Sequence, residues 1–365
     1  MCVESRRSII LVVAATGLLW WAGQQTPHLA GSRSTTAGRS PETELTPLTA
    51  SPLPPTVAFT TVVLAGFRGL AADLLWLRAT ALQDEGRYIE LVQLADWITV
   101  LEPQFSEVWA LQAWNMAYNV SVMFPGDKER WRWVQNGIRL LRDRGLHYNA
   151  TAPLLYHELG WLFLHKIGTN VDPSAAYYKR QWASRMLERV GPDGHPDYVA
   201  LKRDAAAARS LKDMGLDPER MEELDIHYGP LDWRVAETHA LYWACLGQAV
   251  AGPDNTSASC ERMIYHSMAA LFDHGHLTYI AGSEQFVTSP RFDLLPNVMQ
   301  TFETAMSRSE NSLPAEAYVS FLSSAVRLLK FYQNEVEART LFDELHRRFP
   351  SHATLQGLDA FVRGA

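Results

Sequence analysis

The sequence predicts an all-α chain, an α-solenoid of antiparallel helix pairs behind an N-terminal membrane anchor. Three observations predict it. From Thr56 onward, helix-period segments alternate with short Gly, Pro or Asn breaks, and no run reads as a strand. Arg6 and Arg7 precede an apolar run from Ile9 to Gly23 that includes Trp20 and Trp21. Between the two, residues 24–56 are rich in Ser, Thr, Pro and Gly, too polar to bury themselves, and read as a tether. The expected organisation is an anchor over 1–23, the tether over 24–56, repeated helix pairs over 57–190, divergent helical pairs over 191–310 and a last repeat-like unit over 311–365.

Composition narrows the function. With 47% hydrophobic and 20% charged residues in a chain of 365, most of it should fold. That length is long for one compact core and ordinary for a stacked array. A net charge of −7 supplies no basic excess for phosphate neutralisation, so no nucleic-acid partner is expected.

The apolar run is intermediate between a signal-peptide core and a full span of about 20 residues. A cleaved signal peptide competes with an uncleaved anchor. The best cleavage site, His28-Leu29-Ala30, has His where a small residue belongs, and the tryptophan pair suits an interfacial belt; both favour the anchor. The charge bias then leaves the N-terminus cytoplasmic and the body extracytoplasmic, as in a single-pass protein of a bacterial inner membrane with a periplasmic body.

The richest stretch runs from Ala72 to Phe105. Ala79 lets two helices approach, Gly86 permits the turn between them, and Tyr88 and Glu90 open the second helix. Leu91, Ala95 and Ile98 face the first helix, and Leu101-Glu102-Pro103 ends the second by removing a donor. A second unit starts at Ser106 with Trp109 and Ala113, and its partner helix, near Glu129–Arg144, comes late after a Met123–Asp127 insertion. A third opens at Pro153 with Tyr156, Leu159, Gly160 and Phe163, followed by a helix over 173–190. Leu322, Val326, Leu329, Ala338, Phe342, Leu345 and Pro350 make a further unit. This pattern resembles the tetratricopeptide repeat over residues 72–190 and 318–350. The GFRGLAADLLWLRA and LADWITVLEP stretches are similar to bacterial membrane-anchored proteins of that family. The resemblance implies a superhelix whose concave face binds peptides or helices, with no catalysis and no cofactor.

Few residues point elsewhere. His266, Asp273, His274 and His276 are potential zinc ligands, but His274 and His276 would diverge on a helix, and Gly275 between them marks a helix end. His157-Glu158 and His165 do not make HExxH, and no GxSxG, Walker A or GxGxxG sequence occurs. Cys245 and Cys260, on adjacent predicted helices, are candidates for a disulfide or for buried free thiols. Counting 100° per residue places Arg78 among Phe67, Ala71, Leu74 and Leu75 on the apolar face, either snorkelling or in a buried ion pair. Trp114 and Trp131 are the groove-facing candidates for a partner. The expected function is therefore an extracytoplasmic scaffold binding other proteins of an envelope transport or assembly complex. The rival is a metal-dependent extracytoplasmic enzyme using the His266–His276 region.

Overall fold

Helices dominate the computed structural model, which describes residues 55–252, 257–280, 286–309, 312–350 and 357–363. The predicted anchor and nearly all of the tether lie outside these residues. Pro55 already opens the first helix, α1 (Pro55–Asp84), rather than ending the tether, as suits proline at the first helical position. Residues Ala58–Ala365 form one unit, and the expected boundary at 190/191 falls inside it.

α1 turns into α2 (Tyr88–Leu101) through Gly86, whose φ of +70° favours glycine. After Pro103 comes α3 (Ser106–Trp114), which continues as a wider turn with i→i+5 backbone bonding over Asn115–Val120. α4 (Asp127–Arg139) widens in the same way over Leu140–Gly145, and α5 (Pro153–Trp161) over Leu162–Ile167. Then follow α6 (Ala175–Val190), α7 (Tyr198–Arg203), α8 (Ala205–Lys212) and α9 (Pro218–Tyr228). Asp197, Asp204 and Asp217 cap the last three through backbone N–H groups. α10 (Ala236–Ala251), α11 (Ala258–His274), α12 (Leu295–Arg308), α13 (Leu313–Phe331), α14 (Glu335–Arg348) and α15 (Leu358–Arg363) complete the helices.

The expectation of a chain without strands is corrected by one hairpin. β1 (His276–Tyr279) pairs antiparallel with β2 (Phe286–Ser289), His276 opposite Ser289 and Tyr279 opposite Phe286. Four residues per strand carry too little alternation to read in sequence, and only Leu277 is buried in β1.

Two cores result. Ala72, Ala79 and Leu82 of α1 meet Leu91, Ala95 and Ile98 of α2 and Val108 of α3 in a small cluster. A larger one runs from Trp109 to Leu358. Ala79, Trp109, Ala113 and Leu159 are completely buried. Trp109 donates its indole N–H to the Pro103 carbonyl at 2.9 Å, and Asn149 donates to the same oxygen at 2.8 Å, so the carbonyl just beyond α2 is satisfied. Tyr88, half-buried, has its carbonyl bonded by Asn115 at 3.1 Å. A Cβ on Gly160 would lie 2.2 Å from the Met263 sulfur and 3.1 Å from the Ala240 carbonyl, so α5 lies against α10 and α11. The order of neighbouring pairs expected for the third unit is thus broken by helices much later in the chain.

Every residue from Leu231 to Ala244 is buried. Asp232 accepts from Arg234 Nε at 2.8 Å and Nη2 at 2.7 Å, and from the Leu277 amide at 3.0 Å, while Arg234 donates to the Leu277 carbonyl at 2.7 Å. His239 sits among Phe163, Trp182 and Trp233, with ring centroids 4.8–5.8 Å away, and its Nε2 bonds the Trp233 carbonyl at 2.9 Å.

Two outcomes follow from this packing. A Cβ on Gly137 of α4 would meet the Ala113 carbonyl at 2.8 Å, so α3 and α4 approach tightly there. Ala113→Leu should therefore overpack that crossing and cost about 1–3 kcal/mol in urea unfolding; a wild-type midpoint would show the seam to be loose. Burial pushes the His239 imidazole down to about 4 from an ordinary 6.5. Between those values the unfolded chain takes up a proton that the folded chain refuses, so stability falls as pH drops through that window. His239→Gln keeps a donor for the Trp233 carbonyl without titrating. It should recover about 3 kcal/mol of the loss between pH 7 and pH 4, read as the wild-type-minus-variant difference in unfolding free energy.

Candidate docking site

The first helix pair carries an apolar outer face as well as its core face. On α1, Phe67, Leu70, Leu74 and Leu77 recur every three to four residues on the side opposite Ala72 and Ala79, and on α2 Trp97 and Val100 lie opposite Ala95 and Ile98. These six side chains are between 59% and 69% exposed. A helix apolar on both sides is built to be covered on both sides.

Of the two readings of Arg78, this overturns the buried ion pair and leaves the head in solvent. The 100° count grouped it with Phe67 and Leu74, and that stripe proves to be the outer one. Arg78 is a surface residue whose Nη1 lies 3.3 Å from Glu85 Oε1, both side chains being nearly half exposed. Arg87 pairs with Glu85 at 3.0 Å and also with Glu90, so the turn end of the pair is a polar rim.

The tryptophan candidates separate. Trp131 is buried and stacks on Tyr178 at 5.5 Å, so it is a core residue and not a contact surface. Trp114 is half-buried and stacks on Tyr118 at 5.3 Å. From there an aromatic ladder continues through His165, whose Nδ1 is 3.1 Å from the Tyr118 hydroxyl, to Trp161, stacked on His165 at 4.6 Å. The wide turns after α3 and α5 place Tyr118 and His165 in this register by adding a residue to the helical turn. Beneath the ladder Lys166 is buried, its ammonium 5.1 Å above the Tyr118 ring and 2.5 Å from Asp172 Oδ2. Arg130, the Ser174 amide and the Tyr178 hydroxyl complete the shell of Asp172. Burial opposes ionisation of Asp172, but the ammonium, the amide and Arg130 together hold it below the usual carboxylate range. Sequence reasoning missed this network because its members come from α3, α4, α5 and α6.

The His266–His276 residues do not converge. α11 ends at His274, with Gly275 as its cap. His274 Nε2 meets the buried Glu237 carboxylate at 3.1 Å, His276 lies 3.9 Å from Asp232, and His266 is exposed beside Tyr265. Among the described residues no group of three His, Cys, Asp or Glu side chains is placed to hold a metal. Of the two alternatives for Cys245 and Cys260, the structure has free thiols and no disulfide: Cys245 faces the Tyr228 hydroxyl and Cys260 donates to the Pro153 carbonyl at 3.7 Å. Burial, before any other effect, pushes the Cys245 thiol up to about 12, so it is not a nucleophile near neutrality. Among the described residues no helix is long and apolar enough to cross a membrane.

No protein-family model matches the chain, and no curated protein or solved structure is significantly similar to it.

An exposed ion pair of this kind contributes little to stability. Arg78→Leu should leave the thermal midpoint within the change expected for about 0.5 kcal/mol, as measured by circular dichroism; a loss of several degrees would mean that Arg78 holds more than Glu85.

Proposed function

We propose that this chain is a membrane-anchored extracytoplasmic scaffold, tetratricopeptide-like in its first helix pairs, that docks a helix of another envelope protein. The apolar outer faces of α1 and α2 carry this reading. Stacked helix pairs need a polar outer face at each end, and Leu70, Leu74, Leu77, Trp97 and Val100 leave the first pair without one. Something must cover it. The preceding sequence has one apolar stretch, Ile9–Gly23, which its basic flank and tryptophans suit to the bilayer, and the tether between carries no apolar helix period. A partner's amphipathic helix, with anchors at i, i+3, i+4 and i+7, fits the spacing of the α1 stripe, and a tether beside a membrane suits a membrane-protein partner. The Arg78–Glu85–Arg87–Glu90 rim gives the polar border such interfaces have.

The test is site-specific photocrosslinking from positions 74 and 97 in the native membrane, with position 220 on α9 as an exposed control. A discrete adduct to one membrane protein from 74 and 97, lost in the Leu70→Glu background, is the expected result. Adducts to lipid alone, to a second copy of this chain or to residues 9–23 would each replace the partner with that occupant. Leu70→Glu itself should leave the fold intact, since its side chain touches solvent.

A further inference from the structure

Four arginines line one cleft of about 380 Å³ between α4, α6 and α8. Arg139 and Arg142 come from α4 and its wide turn, Arg185 and Arg189 from adjacent turns of α6. Few carboxylates answer them. Arg142 is held by Asp143, 2.5 Å away, and Arg189 has Glu188 at 3.7 Å. Arg139 donates to the neutral Gln135 at 2.9 Å. Arg185 has no carboxylate partner among the described residues; its guanidinium carbon lies 6.0 Å from the Trp182 ring, and its own carbonyl accepts from Arg189 Nη1 at 2.6 Å. Asp213 is the one acid in the lining.

Like charges gathered in a partly buried cleft repel, and burial compounds this. Burial first, then Arg139, Arg189 and Arg142, lower the Arg185 guanidinium from its ordinary value, against a smaller opposing pull from Glu188. Two donors in the lining are also left without acceptors: the indole N–H of Trp182, a residue 3% exposed, and the Nε of Arg189, both shut off from solvent. An unpaired buried donor costs free energy, as does each uncompensated charge. An anion in the cleft would answer the charge deficit.

We infer that the cleft between α4, α6 and α8 binds a small phosphoryl anion, held by Arg139, Arg185 and Arg189. Guanidinium forks match phosphate oxygens in pairs, and Arg139 and Arg185 have no carboxylate of their own to satisfy them. The volume admits a di- or triphosphate. A phosphate monoester on a lipid headgroup presents the same chemistry from a different source. This inference is independent of the docking face on α1 and α2.

Isothermal titration of the solubilised full chain with inorganic tripolyphosphate, and separately with a short-chain phosphatidic acid, tests it. Saturable one-to-one binding that weakens with added salt is expected. The tighter of the two ligands assigns the source, soluble phosphate or lipid headgroup. Arg185→Gln and Arg139→Gln should each reduce affinity by at least about tenfold. Arg220→Gln, an exposed arginine on α9, should leave it unchanged. Without ligand, Arg185→Gln should melt at or above the wild-type temperature, because it relieves repulsion; this separates lost binding from lost folding. Absence of saturable binding for both ligands, or equal affinity in wild type and both cleft variants, would overturn the site.

Discussion

The buried Asp232–Arg234 pair is the constraint around which the larger core is arranged. Both side chains are essentially shut off from water, and an ionised group in such a place must have every lone pair and N–H answered. The answers come from distant parts of the chain. Leu277 supplies an amide to Asp232 and a carbonyl to Arg234, which fixes β1. The Pro192 carbonyl accepts from Arg234, and Trp233 donates its amide to the Gly194 carbonyl at 2.8 Å. Gly194, at φ +72°, has no room for a side chain, since a Cβ would stand 2.1 Å from Asp232 Oδ1. The Asp232 carbonyl accepts from Thr238 at 2.7 Å and so sets the start of α10. Loss of one partner would leave a buried charge unanswered, at about 3–5 kcal/mol, so the loop, the hairpin and the helix are held to one mutual geometry. An apolar replacement of similar volume would pack as well and fix less.

A second buried pair works by the same logic in the neighbouring helices. Lys166 and Asp172 meet under Tyr118 and Tyr178, and the ammonium gains from both ring faces as well as from the carboxylate. The wide turn Leu162–Ile167 turns Lys166 inward; a regular helix would have rotated it by a full residue step. Asp172 also takes the Ser174 amide at the start of α6, so the pair sets where that helix begins. The widened turn after α5 thus brings Lys166 and Asp172 together inside the core.

Legibility in the sequence tracked how local each cause was. Gly86, Pro103 and the small residues Ala79 and Ala113 act within one helix pair, and the turn, the helix end and the buried positions they imply are where the pattern puts them. Arg78 misled because α1 is apolar on both sides, so a periodicity count finds two stripes and has no means of choosing the buried one. Trp131 misled for a related reason: an aromatic on an amphipathic helix reads alike whether it faces a groove or Tyr178. The β1–β2 hairpin was out of reach, since its register depends on Asp232 and Arg234 and not on any alternation of its own. Gly137 and Gly160 were readable as glycines within helices, but the Ala113 carbonyl and the Met263 sulfur that require them lie on other elements.

Net charge is the coarsest of the sequence signals, and the arginine cleft shows where it fails. A chain of net charge −7 excludes a broad basic surface, yet it says nothing about charge placed within a few ångströms. Arg139 and Arg142 are three apart and Arg185 and Arg189 four apart, so each pair shares one side of its helix. Each reads in sequence as an ordinary solvated face. Only the approach of α4 to α6 makes the two faces one lining. Solvated arginines would spread apart and pair with the acids that outnumber basic residues across this chain. That Arg185 instead stays without a carboxylate, between helices that pack regularly, means the packing of α4 on α6 tolerates the repulsion, and a bound anion is the simplest source of the compensating charge.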